Sequence, residues 1–184
     1  MRSPVKSGTS EYTEKRSRFL GAVRHVETEE EARAFIASVR KEYHDARHNC
    51  WCYVIGDSIQ RYSDDGEPQG TAGIPMLEVF RKENVTNAVC VVTRYFGGIL
   101  LGAGGLLRAY TKAAHDALED SDPQEILDLQ TLAFDCEYAD LESFRQAIAK
   151  YDGQIADISY GEKVHLTVQM PETEEFKEKF LWKK

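Results

Sequence analysis

Apolar residues between Thr28 and Tyr43 fall at helical spacing, with Ala32, Phe35, Ile36, Val39 and Tyr43 on one stripe, and predict an amphipathic helix. Thr28 and Glu31 stand at capping-box spacing at its start. The segment before it, "RFLGAVRHV", reads as a strand. "HNCWCYVIG" and "NAVCVVTRYF" carry apolar residues at both parities, the pattern of strands covered on two faces at the centre of a sheet. After the second of these, "GGILLGAGGLLRAYTKAAHDALED" predicts a glycine-rich loop and a helix. Its buried face would be Leu106, Tyr110, Ala113, Ala114 and Ala117, with Arg108, Lys112 and Asp116 outward.

"EDSDPQE", residues 119–125, is acidic and turn-forming and marks a boundary, giving domains at 1–122 and 123–184. Beyond it the pattern reads strand ("LQTLAFDCEY", with Leu132, Phe134 and Cys136 alternating), helix ("DLESFRQAIAKY", closed by Gly153), strand ("QIADISY"), strand ("KVHLTVQM") and helix ("PETEEFKEKF"). This βαββα order is one strand short of a ferredoxin-like unit, and the fold class is α+β.

Hydrophobic residues make up 42% of the 184 and charged residues 29%, which supports a packed core. No apolar run approaches the roughly 18 residues of a membrane helix, and the first residues lack the apolar centre of a signal peptide, so a cytoplasmic protein without membrane contact is expected. Cys50, Cys52, Cys90 and Cys136 sit in strand-like runs and read as buried reduced thiols. The net charge of −8 argues against nonspecific DNA binding, which draws on a basic surface. "KRSR" at Lys15, Arg16 and Arg18 is a local basic cluster that could touch phosphate or an acidic partner, or be a solvated strand end.

Two loops concentrate chemistry. Gly97, Gly98, Gly102, Gly104 and Gly105 precede or open a helix, where backbone amides can cradle an anion and Arg94 and Arg108 can add charge-assisted bonds. The run matches no named nucleotide motif, and tight packing explains the glycines equally. "SDDGEPQGTAGIP", residues 63–75, holds Asp64, Asp65 and Glu67. These carboxylates admit a magnesium ion beside a phosphate, a basic partner, or a turn in which they bond nearby amides. For the first two, Asp64→Asn and Glu67→Gln are expected to spare the fold.

His44, His48, Cys50 and Cys52 resemble a zinc set, but on a strand the outer pair of the last three would lie about 13 Å apart, too far for one tetrahedral ion. No metal ligands are therefore assigned. A nucleophile at Cys50 or Cys52 activated by His44 or His48 is the weaker enzyme case, because mid-strand thiols lack stabilisation of the thiolate.

"DARHNCWCYVIG", "SDDGEPQGTAGIPML" and "VVTRYFGGILLGAGGLLRAY", in this order, resemble the IMPACT/YigZ family over residues 1 to about 120. The second half is similar in pattern to the small C-terminal domain of bacterial members. The resemblance implies an N-terminal domain like the second domain of a small-subunit ribosomal protein. It also implies a ferredoxin-like C-terminal domain resembling the last domains of elongation factor G, here lacking its final strand. Eukaryotic relatives act in translational control, so the resemblance implies a nonenzymatic, translation-associated regulator that binds the ribosome, structured RNA or a protein factor. Arg94, Arg108, Lys15, Arg16 and Arg18 would meet the partner. The alternative is an enzyme or metabolite binder using the glycine loop for phosphate and Asp64, Asp65 and Glu67 for magnesium.

Overall fold

The computed structural model describes residues 1–126, 129–171 and 174–181. It divides into two compact units, Met1–Ile126 and Leu127–Lys184. The division follows Ile126 rather than Asp122 for a local reason. A short strand at Pro123–Glu125 (β7) pairs antiparallel with Arg2–Pro4 (β1), and the Ile126 amide bonds the Met1 carbonyl at 2.7 Å, which ties this segment to the first unit.

The first unit is built on a five-stranded antiparallel sheet of Gly8–Glu14 (β2), Ser17–His25 (β3), His48–Ile55 (β4), Ile59–Ser63 (β5) and Ala88–Tyr95 (β6), in the order β2-β3-β6-β4-β5. The two segments with apolar residues at both parities, β4 and β6, do lie inside the sheet. Helix Glu29–Glu42 (α1) packs Ala32, Ile36 and Val39 on one face against Tyr53, Val89 and Val91. Helices Gly73–Lys82 (α2) and Gly102–Asp120 (α3) cover the other face. Thr28 caps α1 by accepting from the Glu31 amide, whereas the Glu31 carboxylate accepts from Glu27 rather than from Thr28.

Helix α3 buries all five residues expected of it, Leu106, Tyr110, Ala113, Ala114 and Ala117. Its alanines lie directly on strand backbone. A Cβ at Gly8 would fall 2.1 Å from the Ala117 carbonyl oxygen, and one at Gly21 would fall 2.6 Å from that of Ala113. The helix is thus seated on glycine, with Ser10 Oγ donating to the Ala113 carbonyl at 2.7 Å.

Besides the three-residue strands β1 and β7, three elements of this unit are not legible in the pattern. β2 ("GTSEYTE") is a polar edge strand, β5 ("IQRYS") is short and half-exposed, and α2 begins inside the stretch read as a loop. Pro75 does not break α2, because it occupies the first turn, where a backbone N–H has no helical partner.

The second unit places Leu129–Cys136 (β8), helix Leu141–Lys150 (α4), Gln154–Tyr160 (β9) and Val164–Pro171 (β10) in an antiparallel sheet of order β8-β10-β9. β10 alternates cleanly, with Val164, Leu166, Val168 and Met170 fully buried. The helix expected over 171–180 is shortened. β10 runs through Pro171, residues 172 and 173 lie outside the described residues, and Glu174–Phe176 (α5) is followed by a wider turn at Lys177–Leu181. Phe176 closes the core against Phe134 and Tyr151.

Candidate functional site

The acidic loop leaves β5 through a tight turn. The Glu67 amide bonds the Asp64 carbonyl at 2.9 Å, and Asp65 and Gly66 both adopt positive φ, 43° and 85°, the pattern of a primed turn. The three carboxylates then diverge. Asp64 accepts from the amides of Gly70, Ala72 and Gly73 at 2.8, 3.1 and 2.8 Å, gathering the loop and satisfying amides at the start of α2. Asp65 accepts from the Asn49 amide at 2.7 Å and from Arg40 of α1. Glu67 turns inward.

Magnesium held jointly by Asp64, Asp65 and Glu67 does not fit this arrangement, and among the described residues no cluster of three His, Cys, Asp or Glu side chains could hold a metal ion. His44, His48, Cys50 and Cys52 form no such group either.

Glu67 and Arg94 form a buried ion pair, with side chains 3% and 7% exposed and 2.7 Å between Arg94 Nη1 and Glu67 Oε1. The same carboxylate oxygen accepts from the Tyr110 hydroxyl at 2.8 Å. The Arg94 guanidinium lies between the rings of Phe19 and Phe96, 5.6 and 5.5 Å from their centroids, and its Nη2 reaches Ser17 at 3.5 Å. Its Nε has no hydrogen-bond partner. His48 Nδ1 lies 2.8 Å from the Asp65 carbonyl, which assigns the proton to that nitrogen, and its Nε2 stands 3.9 Å from Glu67 Oε2. Burial first, and then the Cys50 and Glu67 neighbours, raises the Tyr110 pKa far above its ordinary value, so the phenol stays a donor.

Above this network opens a cavity of about 380 Å³. Pro68 of the acidic loop and Phe96, Leu100 and Leu101 of the glycine loop wall it, with Arg47 and His48 at one side. The two loops singled out in the sequence therefore face one concavity. Of the predicted residues, Glu67, Arg94 and Gly102 line it. Asp64 and Asp65 are committed to the loop and to α1, so they do not. Arg94 was expected to meet a partner, but its charge is already matched inside the fold.

The glycines divide by role. Gly97 packs against the β2–β3 turn, where an added Cβ would lie 2.0 Å from the Arg16 carbonyl carbon. Gly98 and Gly102 adopt φ of 84° and 71° at either end of the exposed segment Ile99–Leu100. Gly102, Gly104 and Gly105 form the first turn of α3, which carries no side-chain cap. Arg108 is exposed on the second turn. Lys15 and Arg16 are the exposed tip of the β2–β3 turn, and Arg18 pairs with Glu11 at 3.0 Å. Sequence reasoning missed Tyr110 as a polar member of the site, and also Arg47, Phe96 and Leu100. The exposed aromatic and aliphatic residues beside the glycines were the available signal.

The thiols are placed as core. Cys50, Cys52, Cys90 and Cys136 are free and buried. Desolvation pushes the Cys50 and Cys52 thiols well up, and Cys50 donates to the Asp64 carbonyl at 3.0 Å. Neither can supply thiolate near neutral pH. A thiol reagent at pH 8 is therefore expected to label the native protein slowly and all four thiols rapidly in urea. Fast native labelling of Cys50 would reopen the nucleophile reading.

The Impact N-terminal domain model matches residues 15–118, from the β2–β3 turn through both loops, and a domain of unknown function, DUF1949, matches residues 134–180. IMPACT family member YvyE of Bacillus subtilis is 40% identical over 171 residues, covering 92% of this chain and 79% of that protein. The chain belongs to the IMPACT family. YigZ of Escherichia coli, another family member, is 42% identical over 161 residues, 85% of this chain and 79% of that protein. A solved structure described as a hypothetical protein superposes with a TM-score of 0.67 at 38% identity, over 97% of this chain and 89% of that one. Its fold and this one agree across both units of this IMPACT chain. No helix among the described residues is long and apolar enough to cross a membrane.

Proposed function

We propose that this IMPACT family chain is a nonenzymatic, translation-associated regulatory protein that acts in the cytoplasm. Its partner is a ribosome, a structured RNA or a translation factor. The observation that carries the reading is the closed Glu67–Arg94–Tyr110 network beneath an open, apolar-walled cavity. Its floor is a fixed support with no poised nucleophile, and its rim presents Leu100, 82% exposed, beside Phe96 and Ile99. Exposed apolar groups ringed by polar ones suit docking rather than chemistry. The likeness of the first unit to the second domain of a small-subunit ribosomal protein, and of the second unit to the last domains of elongation factor G, is part of the same proposal.

The test is co-sedimentation with ribosomes and associated factors at low salt. Because Arg94 is structural, the informative variants are Leu100→Asp and Arg108→Ala, both at exposed positions. Wild-type protein is expected in the ribosomal pellet, with Leu100→Asp lost from it and Arg108→Ala retained less as salt rises. Wild-type protein absent from every pellet would overturn the reading. A second reading, a small anionic ligand, is favoured by the uncapped α3 terminus whose Gly102 lines the cavity. It alone predicts a thermal shift with phosphate compounds, and the diverging carboxylates predict no dependence on magnesium.

A further inference from the structure

On the opposite face of the sheet a second concavity, of about 500 Å³, lies between α1 and the β4–β5 edge. Arg33 and Arg40, seven positions apart, border it from one stripe of α1. Trp51 and Tyr53 form its floor, their rings stacked at 5.6 Å with 9° between planes. Arg61 stands beside them, because its residue pairs with Tyr53 across β4 and β5 and so shares that face.

Two features here point to solvent as well as to packing. Trp51 packs against the α1 cluster yet is only half-buried, whereas Tyr53 on the same face is 2% exposed, so part of the indole reaches solvent. And three guanidinium groups converge in a protein of net charge −8. Arg33 faces Glu29 at 3.5 Å and Arg40 bonds Asp65, while Arg61 has no ion-pair partner among the described residues and reaches only the Gln60 carbonyl, at 2.9 Å. The Tyr53 hydroxyl, and then the charges of Arg61 and Arg33, hold the Glu29 carboxyl below its ordinary range. With Glu29 and Asp65 counted against the three arginines, the groove keeps one positive charge beside the part-exposed Trp51 indole.

We infer that this groove binds single-stranded nucleic acid, with a base stacked on Trp51 and the flanking phosphates met by Arg33, Arg40 and Arg61. Stacking on an indole is open to any base, since each has a π-face, and guanidinium forks match phosphate oxygens. A duplex would hide the faces the floor needs. The inference goes beyond the proposed function, because its residues lie on the other face of the sheet from the cavity and either site can fail alone.

The experiment is fluorescence anisotropy of a short labelled oligouridylate at low salt, with the full chain and with Arg61→Glu, Arg33→Glu and Trp51→Leu. Arg33 and Arg61 are exposed, so their variants keep the fold, which urea melts verify, and they carry the test if Trp51→Leu does not fold. The wild type is expected to bind with a log–log salt slope near about −2, the value for three phosphate contacts on a single strand. Arg61→Glu and Trp51→Leu are each expected to weaken binding by about tenfold or more. Equal binding of single-stranded DNA supports the inference. It is overturned by no binding at low salt, by binding indifferent to both arginine changes, by preference for a duplex, or by uridine monophosphate competing as well as the strand.

Discussion

Glu67→Ala is expected to lower the unfolding free energy of the first unit by about 3 to 5 kcal/mol, the range for breaking a buried ion pair from one side. The reason is what it leaves behind. Arg94 would keep its charge between two phenyl rings, with Ser17 at 3.5 Å as its remaining side-chain partner, and the Tyr110 hydroxyl would lose its acceptor. Urea melts at constant slope measure the loss as a shift of midpoint. The double variant Glu67→Leu with Arg94→Met is expected to recover most of it, since removing both charges removes the desolvation cost as well. A loss below about 1 kcal/mol for Glu67→Ala would mean that water or rearrangement meets Arg94 and that the network does not hold the cavity floor.

Asp64→Ala comes second, at roughly 2 to 3 kcal/mol, because one carboxylate serves three amides. Its loss strands the start of α2 and loosens the Gly70 end of the loop together. Asp64→Asn keeps one acceptor oxygen and is expected to cost less, about 1 kcal/mol. Hydrogen exchange separates this from a global effect: protection at Ala72 and Gly73 should fall first, and uniform loss across the sheet would contradict a local role. Both expectations reverse the reading from sequence that neutralising Asp64 or Glu67 spares the fold.

That reversal shows where sequence reasoning stops. The central strands were legible because burial on two faces writes apolar residues at every position, and α3 because its small and large residues recur at helical spacing. The edge strand β2 was not, since one side of it meets solvent and its seat on α3 is made by the small residues Gly8 and Ser10 rather than by large apolar side chains. α2 was hidden by Pro75, a residue that signals a break unless the first turn is already known. Glu67 reads as a loop acid because the residue that buries it, Arg94, lies 27 positions away. The acidic and glycine loops could be picked out by composition, but whether a carboxylate points at a ligand, an amide or an arginine is decided by topology.

The spacing of those same contacts has a consequence for the newly made chain. Glu67 waits 27 residues for Arg94 and 43 for Tyr110, and Ser17 waits 80 for the Gly97 amide. Of these partners Tyr110 lies in α3, so the network stays incomplete until that helix has been synthesised, and each separation adds loop-closure entropy that the finished sheet offsets. A chain stalled before residue 110 would carry both signature loops without the Tyr110 hydroxyl that completes the network beneath their cavity. The cavity is therefore completed only when α3 joins the two loops, rather than growing with either loop alone.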